Sequence, residues 1–353
     1  MEALGTPSAD FWKGKRVLLT GHTGFKGTWL HHWLDKLGAQ TAGLSYSGYP
    51  KTVLGSSSLL TSLEIDADIS TRSWQNQVSD FAPEIVFHLA AQALVFTGYQ
   101  DPKTTFETNV VGSLRLLEIL ENTPSIRVMV IITTDKVYRI ENGNAPHVET
   151  DPIGGIDPYS SSKGAVELMV RGWPISSTQS IATARSGNVI GGGDDAPKRL
   201  IPDLIRAWGA HRTISLRSPS GIRPWLHVLE PLRGYLLLAE KGFSSPGSRM
   251  AYNFAPRISD QVRVEAIARR AMEILSPHAG FAIDQLPEAE FPETPELLLD
   301  ATKAGDELNW RPIWDWTTAV DKSLLWYQQF HEGVSAEKLF KQDIASYITE
   351  LGN

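Results

Sequence analysis

Arg16-Val17-Leu18-Leu19-Thr20-Gly21-His22-Thr23-Gly24-Phe25-Lys26-Gly27 decides how the whole chain reads. A short apolar run of strand type, Arg16 to Thr20, feeds directly into glycines at 21, 24 and 27. Phe25, Trp29, Leu30, Trp33, Leu34 and Leu37 then recur at helical spacing, and Gly38 stands where that helix should end. Strand, glycine turn and helix together are the context a dinucleotide fingerprint requires. Glycines let the backbone approach a pyrophosphate closely, and the helix N-terminus faces its charge.

Outward from this stretch, strands and helices alternate. Gln40–Ser45 reads as the second strand, and Glu84–Ala91 and Arg127–Thr134 are continuous apolar runs of the kind buried on both faces of a parallel sheet. Asp101-Pro102 offers an N-cap and a first-turn proline for a helix running to about Asn122. Ser180–Asn188 reads as a further strand. The alternation predicts an α/β fold with a doubly wound parallel sheet of Rossmann type. From Gly191 the texture changes to loops and proline-bearing segments, which predicts a smaller, mainly helical substrate lobe. The expected division gives 12–187 and 223–256 to the dinucleotide-binding domain, and 188–222 and 257–353 to the lobe.

Tyr159-Ser160-Ser161-Ser162-Lys163 opens the helix between the last two of these strands. Tyrosine and lysine four apart share one helix face, so the ammonium can lie under the phenol and stabilise a phenolate. Such a pair can take a proton from a hydroxyl while a hydride leaves the same carbon. Alone, Tyr-x-x-x-Lys occurs on many amphipathic helices; beside a dinucleotide fingerprint it points to nicotinamide chemistry on a hydroxylated substrate.

Bulk properties narrow the class. The 353 residues suffice for one large or two smaller domains, and a net charge of −7 gives no reason to expect nucleic acid or an anionic membrane as partner. The absence of cysteine excludes disulfides and thiol chemistry and fits a cytoplasmic setting. Met1–Lys15 holds no apolar core with a cleavage site, so secretion is not expected, and the apolar runs are too short to span a bilayer. No metal site is expected: His31 and His32 are adjacent and point to different faces of their helix.

Further motifs accompany these two: His88-Leu89-Ala90-Ala91-Gln92, Thr108-Asn109-Val110-Val111-Gly112, Gly187-Asn188-Val189-Ile190-Gly191, Leu299-Asp300-x-x-Lys303 and Asn309-Trp310-x-Pro312. With them the chain resembles the extended short-chain dehydrogenase/reductases that modify nucleotide sugars, over roughly residues 12–330. Thr134-Asp135-Lys136-Val137-Tyr138, Gly191-Gly192-Gly193-Asp194, Arg199-Leu200-Ile201-Pro202-Asp203 and Arg223-Pro224-Trp225 are most similar to its 4,6-dehydratase branch acting on CDP-linked sugars. Leu226 stands where that branch often has glutamine, in a segment expected to line the nucleotide pocket.

The resemblance implies bound NAD, a CDP-sugar substrate, a homodimer built on the helices near 102–122 and 159–172, and a product feeding deoxysugars of surface polysaccharide. Its reaction is an internal redox cycle: hydride leaves sugar carbon 4, water is lost across carbons 5 and 6, and hydride returns at carbon 6. Tyr159 is then the base at the 4-hydroxyl, with its pKa lowered by Lys163 and by the positive nicotinamide, and Thr134 bonds the same oxygen. Asp135 protonates the leaving 6-hydroxyl and Lys136 takes the carbon 5 proton. Gly21, Thr23, Gly24, Phe25, Gly27, Asp68, Ile69, Ala90, Ala91, Tyr159 and Lys163 contact the cofactor. Asn188, Arg199, Arg223, His227 and Asn253 are the substrate candidates, while Arg185 is structural. Lys26 either reaches a cofactor phosphate or stays solvated. A dehydratase for another nucleotide sugar, a 4-epimerase and a non-catalytic NAD-binding protein remain as alternatives.

Overall fold

The structure is a computed structural model, and it describes residues 4–48, 61–140, 145–216, 218–275, 283–285 and 297–352. Its strands are β1 (Arg16–Thr20), β2 (Gln40–Ser45), β3 (Leu63–Asp66), β4 (Ile85–His88), β5 (Val128–Ile132), β6 (Ser180–Ser186), β7 (Asn188–Ile190), β8 (Ile214–Leu216), β9 (Ile222–His227), β10 (Arg249–Phe254), β11 (Gln261–Arg263) and β12 (Ile283–Gln285). Seven of them form one parallel sheet in the order β10-β6-β5-β4-β1-β2-β3, with β1 at the point where the order reverses.

Strand periodicity splits the apolar runs between two cores. Val17, Leu19, Ile85, Phe87, Val128 and Val130 face one cluster, while Leu18, Val86, Met129 and Ile131 face the other. The helix predicted from Asp101 begins as expected, with Asp101 accepting from Thr104 N at 3.0 Å and Pro102 in its first turn. It then widens into a π-turn over Glu107–Val111 before resuming at Gly112–Asn122.

The stretch 223–256, expected to rejoin the sheet, does so only in part. Arg249–Phe254 pairs with β6, and the helix Leu229–Ser244 packs on β5 and β6. Ile222–His227 instead lies between β7 and β11 in a separate three-stranded sheet. Its partners explain the departure: β7 follows β6 after one residue, turns out of the main sheet at Gly187 and carries β9 with it.

The end of the chain returns to its beginning. The helix Ala336–Leu351 packs on the glycine-loop helix Phe25–Lys36, with Phe340 stacked on His32 at 4.7 Å and edge-on to Trp29 at 4.6 Å. Tyr347 meets Trp33 and Trp314 edge-on and donates to the fully buried Glu230 at 2.5 Å. Glu230 also accepts from the backbone of Ile313 and Trp314 and lies beside buried Arg233. A buried carboxylate so placed tolerates little loss of its donors. Tyr347→Phe is expected to cost about 1–2 kcal/mol and Glu230→Ala about 3–5 kcal/mol. The midpoints of chemical denaturation of the two variants measure this, with Glu230→Ala the more severe.

Candidate functional site

Gly21 leaves β1 at φ +70°, and a Cβ there would lie 2.7 Å from Ala90 N, so only glycine lets the loop close against the end of β4. A Cβ on Gly27 would collide with the Gly21 carbonyl. Gly24 begins the helix Phe25–Lys36 without any side-chain cap. The first backbone N–H groups of that helix therefore have no side chain competing for them, which suits a pyrophosphate. The loop fits a dinucleotide by shape and by its donors.

A crevice of about 880 Å³ opens at the C-terminal ends of the strands. This is where a doubly wound sheet binds ligands, and the volume lies within the range of small-molecule sites. Gly21, Gly24, Phe25, Gly27 and Ala91 line one part of it. Thr134, Asp135, Lys136, Tyr159 and Lys163 line the centre, and Asn188, Arg199 and Arg223 the far wall. Thus all five catalytic candidates converge.

β5 ends at Ile132, and Thr134 caps the short turn Asp135–Val137 that follows. Its hydroxyl donates to Asp135 Oδ1 at 2.9 Å and accepts from Lys136 N at 3.4 Å, so it is a cap as well as a crevice-lining group. Asp135 is 1% exposed, and its Oδ2 has no hydrogen-bond partner. A Cβ on Gly187 would lie 3.0 Å from that oxygen and 2.3 Å from Pro224 Cγ, so only glycine fits where the chain passes Asp135. Lys136 is half-buried on the same wall.

Tyr159 and Lys163 come from the helix Pro158–Gly172, which Asp157 and Ser160 start with reciprocal side-chain caps. Lys163 Nζ donates to the carbonyl of Ile132 at 3.0 Å, and burial lowers its pKa to about 8 against the opposing charge of Glu167. The expected lowering of Tyr159 by Lys163 does not occur. Burial pushes the phenol up to about 12, with the Thr134 hydroxyl and the Arg199 charge pulling it down and Asp135 and Asp157 raising it. Desolvation of a phenolate outweighs the hydroxyl and the guanidinium together.

Lys26 is part-buried rather than fully solvated: it lines the crevice and donates to Ser186 Oγ at 3.0 Å and Tyr235 Oη at 3.3 Å. Burial, with Arg199 and Lys163 adding to it, brings its pKa down to about 7, while Asp135 and Asp194 oppose. Its placement could not be read from sequence, because both its partners lie more than 150 positions further along the chain.

Other candidates lie outside the lining. Thr23 is part-buried in the loop. Asp68 turns back to cap Ser70, accepting from its N and Oγ at 2.8 Å, and Ile69 packs against Gly112. Ala90 N donates to Thr20 Oγ1 at 3.1 Å. His227 is buried between Trp29 and Trp314, and burial lowers its pKa to about 3. Asn253 is buried at the end of β10, accepting from Tyr138 Oη and donating to the carbonyls of His147 and Asp300. Neither His227 nor Asn253 lines the crevice; Asn253 is held by internal bonds, whereas His227 accepts from Leu229 N on Nδ1 and leaves Nε2 buried among aromatic rings without a hydrogen-bond partner. Leu226 is likewise buried in the core, because alternation along β9 turns Arg223 and Trp225 to the crevice and Leu226 away. Arg185 is structural, as expected, with its guanidinium forked onto Glu167 at 2.9 and 2.7 Å.

Asn109 was absent from the candidate residues. It sits in the π-turn, holds the backbone of Gln92 with both ends of its amide, and donates to Ser162 Oγ at 2.8 Å. It therefore sets the position of the helix that carries Tyr159 and Lys163. A signal existed in the Thr108–Gly112 motif, but the π-turn that aims the amide has no mark in periodicity.

Residues 17–255 match the family model described as the NAD dependent epimerase/dehydratase family. The chain belongs to that family. A fellow protein, the CDP-glucose 4,6-dehydratase of Salmonella typhimurium, is 37% identical over 354 residues, covering 96% of this chain and 98% of the relative. A probable dTDP-glucose 4,6-dehydratase of Sinorhizobium fredii is 26% identical, over 88% and 92% of the two chains. Among solved structures, the dTDP-glucose 4,6-dehydratase of Bacillus anthracis in complex with NAD superposes with a TM-score of 0.77 at 18% identity, covering 90% of this chain and 98% of that one. An epimerase of Methanothermobacter thermautotrophicus reaches 0.80 at 21% identity, over 92% and 95%. These superpositions show that this chain shares the epimerase/dehydratase fold.

The depressed Lys26 has a consequence for stability. Its folded pKa of about 7 lies below the ordinary value of 10.5, so below pH 7 folding carries the full penalty of burying the charge. The penalty fades as pH rises from about 7 towards 10.5, because the unfolded chain then holds the proton that the folded chain has lost. Lys26→Met should raise Tm most at pH 6, and the gain should shrink steadily towards pH 10. Calorimetry of both proteins across that range checks it.

Proposed function

We propose that this protein is an NAD-dependent lyase, a CDP-glucose 4,6-dehydratase that forms CDP-4-keto-6-deoxyglucose and water. One observation carries the reading: Asp135 and Lys136 stand beside Thr134 and Tyr159 in the crevice that the glycine loop also lines. A 4-epimerase needs the tyrosine but no acid at carbon 6. The 37% identity to the Salmonella CDP-glucose 4,6-dehydratase supports CDP-glucose as substrate.

NAD, when bound, supplies the hydride acceptor at carbon 4 and the donor at carbon 6. Gly21, Gly24, Phe25 and Gly27, which line the crevice at the helix start together with Ala91, would hold its pyrophosphate. Tyr159 takes the proton of the 4-hydroxyl. Its raised pKa makes the phenolate a strong base that needs positive charge close by when it forms, and Lys163 is the cation on the same helix face. Thr134 bonds the same sugar oxygen and orients it. Oxidation at carbon 4 acidifies carbon 5; the Lys136 amine takes that proton and gives it back to carbon 5 as hydride reaches carbon 6. Asp135 presents its unpartnered Oδ2 to the 6-hydroxyl and gives it a proton as it leaves. Both proton transfers occur on one short turn, so acid and base face the same edge of the sugar.

Asn188, Arg199 and Arg223 form the wall for the substrate diphosphate, since guanidinium groups offer paired donors to phosphate. The division into a dinucleotide-binding domain and a substrate lobe is part of the same reading, as is a cytoplasmic enzyme supplying deoxysugars for surface polysaccharide. Among the described residues no helix is long and apolar enough to cross a membrane. A homodimer fits the neighbouring helices Pro102–Phe106 and Pro158–Gly172, from which Phe106 (40%) and Leu168 (57%) are exposed.

Incubation with CDP-glucose carrying deuterium at carbon 4 should deliver the label to carbon 6 of a 4-keto-6-deoxy product. Retention at carbon 4 of a galactose epimer would instead mark an epimerase, and UDP- or dTDP-glucose turning over faster would move the substrate. Tyr159→Phe is expected to lower kcat by about 10²–10⁴. Asp135→Asn should block elimination while leaving oxidation at carbon 4 measurable as a transient absorbance of reduced cofactor. Unimpaired dehydration by Asp135→Asn would remove that residue from its role.

A further inference from the structure

Dehydration of the sugar releases no net proton, yet the transfers at the site do not balance residue by residue. Lys136 takes a proton from carbon 5 and returns it there. Tyr159 gains the proton of the 4-hydroxyl and keeps it, because carbon 4 ends as a ketone. Asp135 gives a proton to the departing 6-hydroxyl and is left without one. Unless the two are joined, each turnover ends with one proton too many on the phenol and one too few on the carboxyl.

A path between them stands at the end of β5. Thr134 Oγ donates to Asp135 Oδ1 at 2.9 Å. Its oxygen accepts from Lys136 N at 3.4 Å, and the Tyr159 phenol is hydrogen-bonded to the same hydroxyl. The single proton of Thr134 points to Asp135, so the phenol is the donor in that bond. The chain therefore runs in one direction, from Tyr159 through Thr134 to Asp135, and all three residues are buried. Burial also pushes the phenol up to about 12. At neutral pH it already holds a proton, and it can accept another only by passing its own along.

We propose that Thr134 relays a proton from Tyr159 to Asp135, so that the proton given up by sugar oxygen 4 is matched by the one that leaves with oxygen 6 as water. As hydride leaves carbon 4, the electron pair of the O–H bond becomes the second carbon–oxygen bond, and the proton passes to the Tyr159 oxygen. The proton already on the phenol moves to Thr134 Oγ, and the threonine's own moves to Asp135 Oδ1. Tyr159 and Thr134 end as they began. A half-turn about the Asp135 Cβ–Cγ bond exchanges its two oxygens and brings the proton to the side without a partner, where the 6-hydroxyl takes it. Asp135 is thus loaded for elimination only by a completed oxidation. This rests on the reading of the protein as a 4,6-dehydratase.

CDP-6-deoxyglucose separates the two parts of the cycle, because it can be oxidised at carbon 4 but has no 6-hydroxyl to lose. With the full-length protein and NAD, stopped-flow absorbance follows the reduced cofactor while a pH indicator follows released protons. The wild type should form reduced cofactor without releasing a proton. Asp135→Asn and Thr134→Val should form it at least about tenfold more slowly, though still measurably, and Thr134→Ser should recover most of the loss. Asp135→Asn oxidising this analogue at the wild-type rate would confine the carboxyl to elimination and overturn the relay. One proton released per reduced cofactor in the wild type, or Thr134→Ser as slow as Thr134→Val, would also overturn it. So would a wild type that dehydrates CDP-glucose but cannot oxidise the analogue. A wild type that dehydrates none of CDP-, UDP- and dTDP-glucose would sink the dehydratase reading and the relay together.

Discussion

The crevice depends on two stretches of backbone meeting where no side chain fits. Gly21 lies against Ala90, and the neighbouring Thr20 hydroxyl accepts from Ala90 N while pairing with His88 Nδ1 at 2.8 Å. His88 continues to Ser113 Oγ, so β1, β4 and the helix after the π-turn are locked at one point. That point is where the strand order reverses, and the lock sets both the width of the gap and the direction of the glycine-loop helix. A side chain at Gly21 would push apart the two strands from which the cofactor half of the crevice is built.

A second set of buried bonds braces the turn Asp135–Val137 against the helix Pro158–Gly172 and the strands β6 and β10. Glu167, from the helix that bears Tyr159 and Lys163, accepts from Thr133, Thr183 and Arg185. Arg185 passes the chain of bonds to Tyr138, and Tyr138 to Asn253. Thr133 and Tyr138 flank the turn that presents Thr134, Asp135 and Lys136. A fully partnered buried network of this kind holds geometry more than it adds stability, and here it holds the spacing between Asp135, Lys136 and Tyr159. It also explains why Asn253 makes no contact with the crevice although it lies at the end of a parallel strand.

The fold was legible because parallel strands buried on both faces leave long apolar runs, and the glycine turn names its own context. That the five candidates would converge was legible for a similar reason: three follow the end of β5 and two open the helix Pro158–Gly172, so all line one crevice. Legibility ended where position depends on distant partners. His227 and Asn253 look like ligands in one dimension, yet Trp29, Trp314 and Tyr138 bury them. Lys26 looks solvated, yet Ser186 and Tyr235 draw it inward. β9 looked like part of the main sheet because its apolar pattern cannot say which neighbour it will pair with.

The docking of the helix Ala336–Leu351 on the glycine-loop helix bears on how the chain reaches this state. Trp29, His32 and Trp33 of the glycine-loop helix are covered by Phe340 and Tyr347, more than 300 residues later. During synthesis the glycine loop leaves the ribosome long before this cover exists, so its aromatic face stays open to water until residues 336–351 emerge. Contacts this remote in sequence are slow to close, and surfaces left open meanwhile invite association between nascent chains. Burial of the glycine-loop helix thereby waits on a segment made much later.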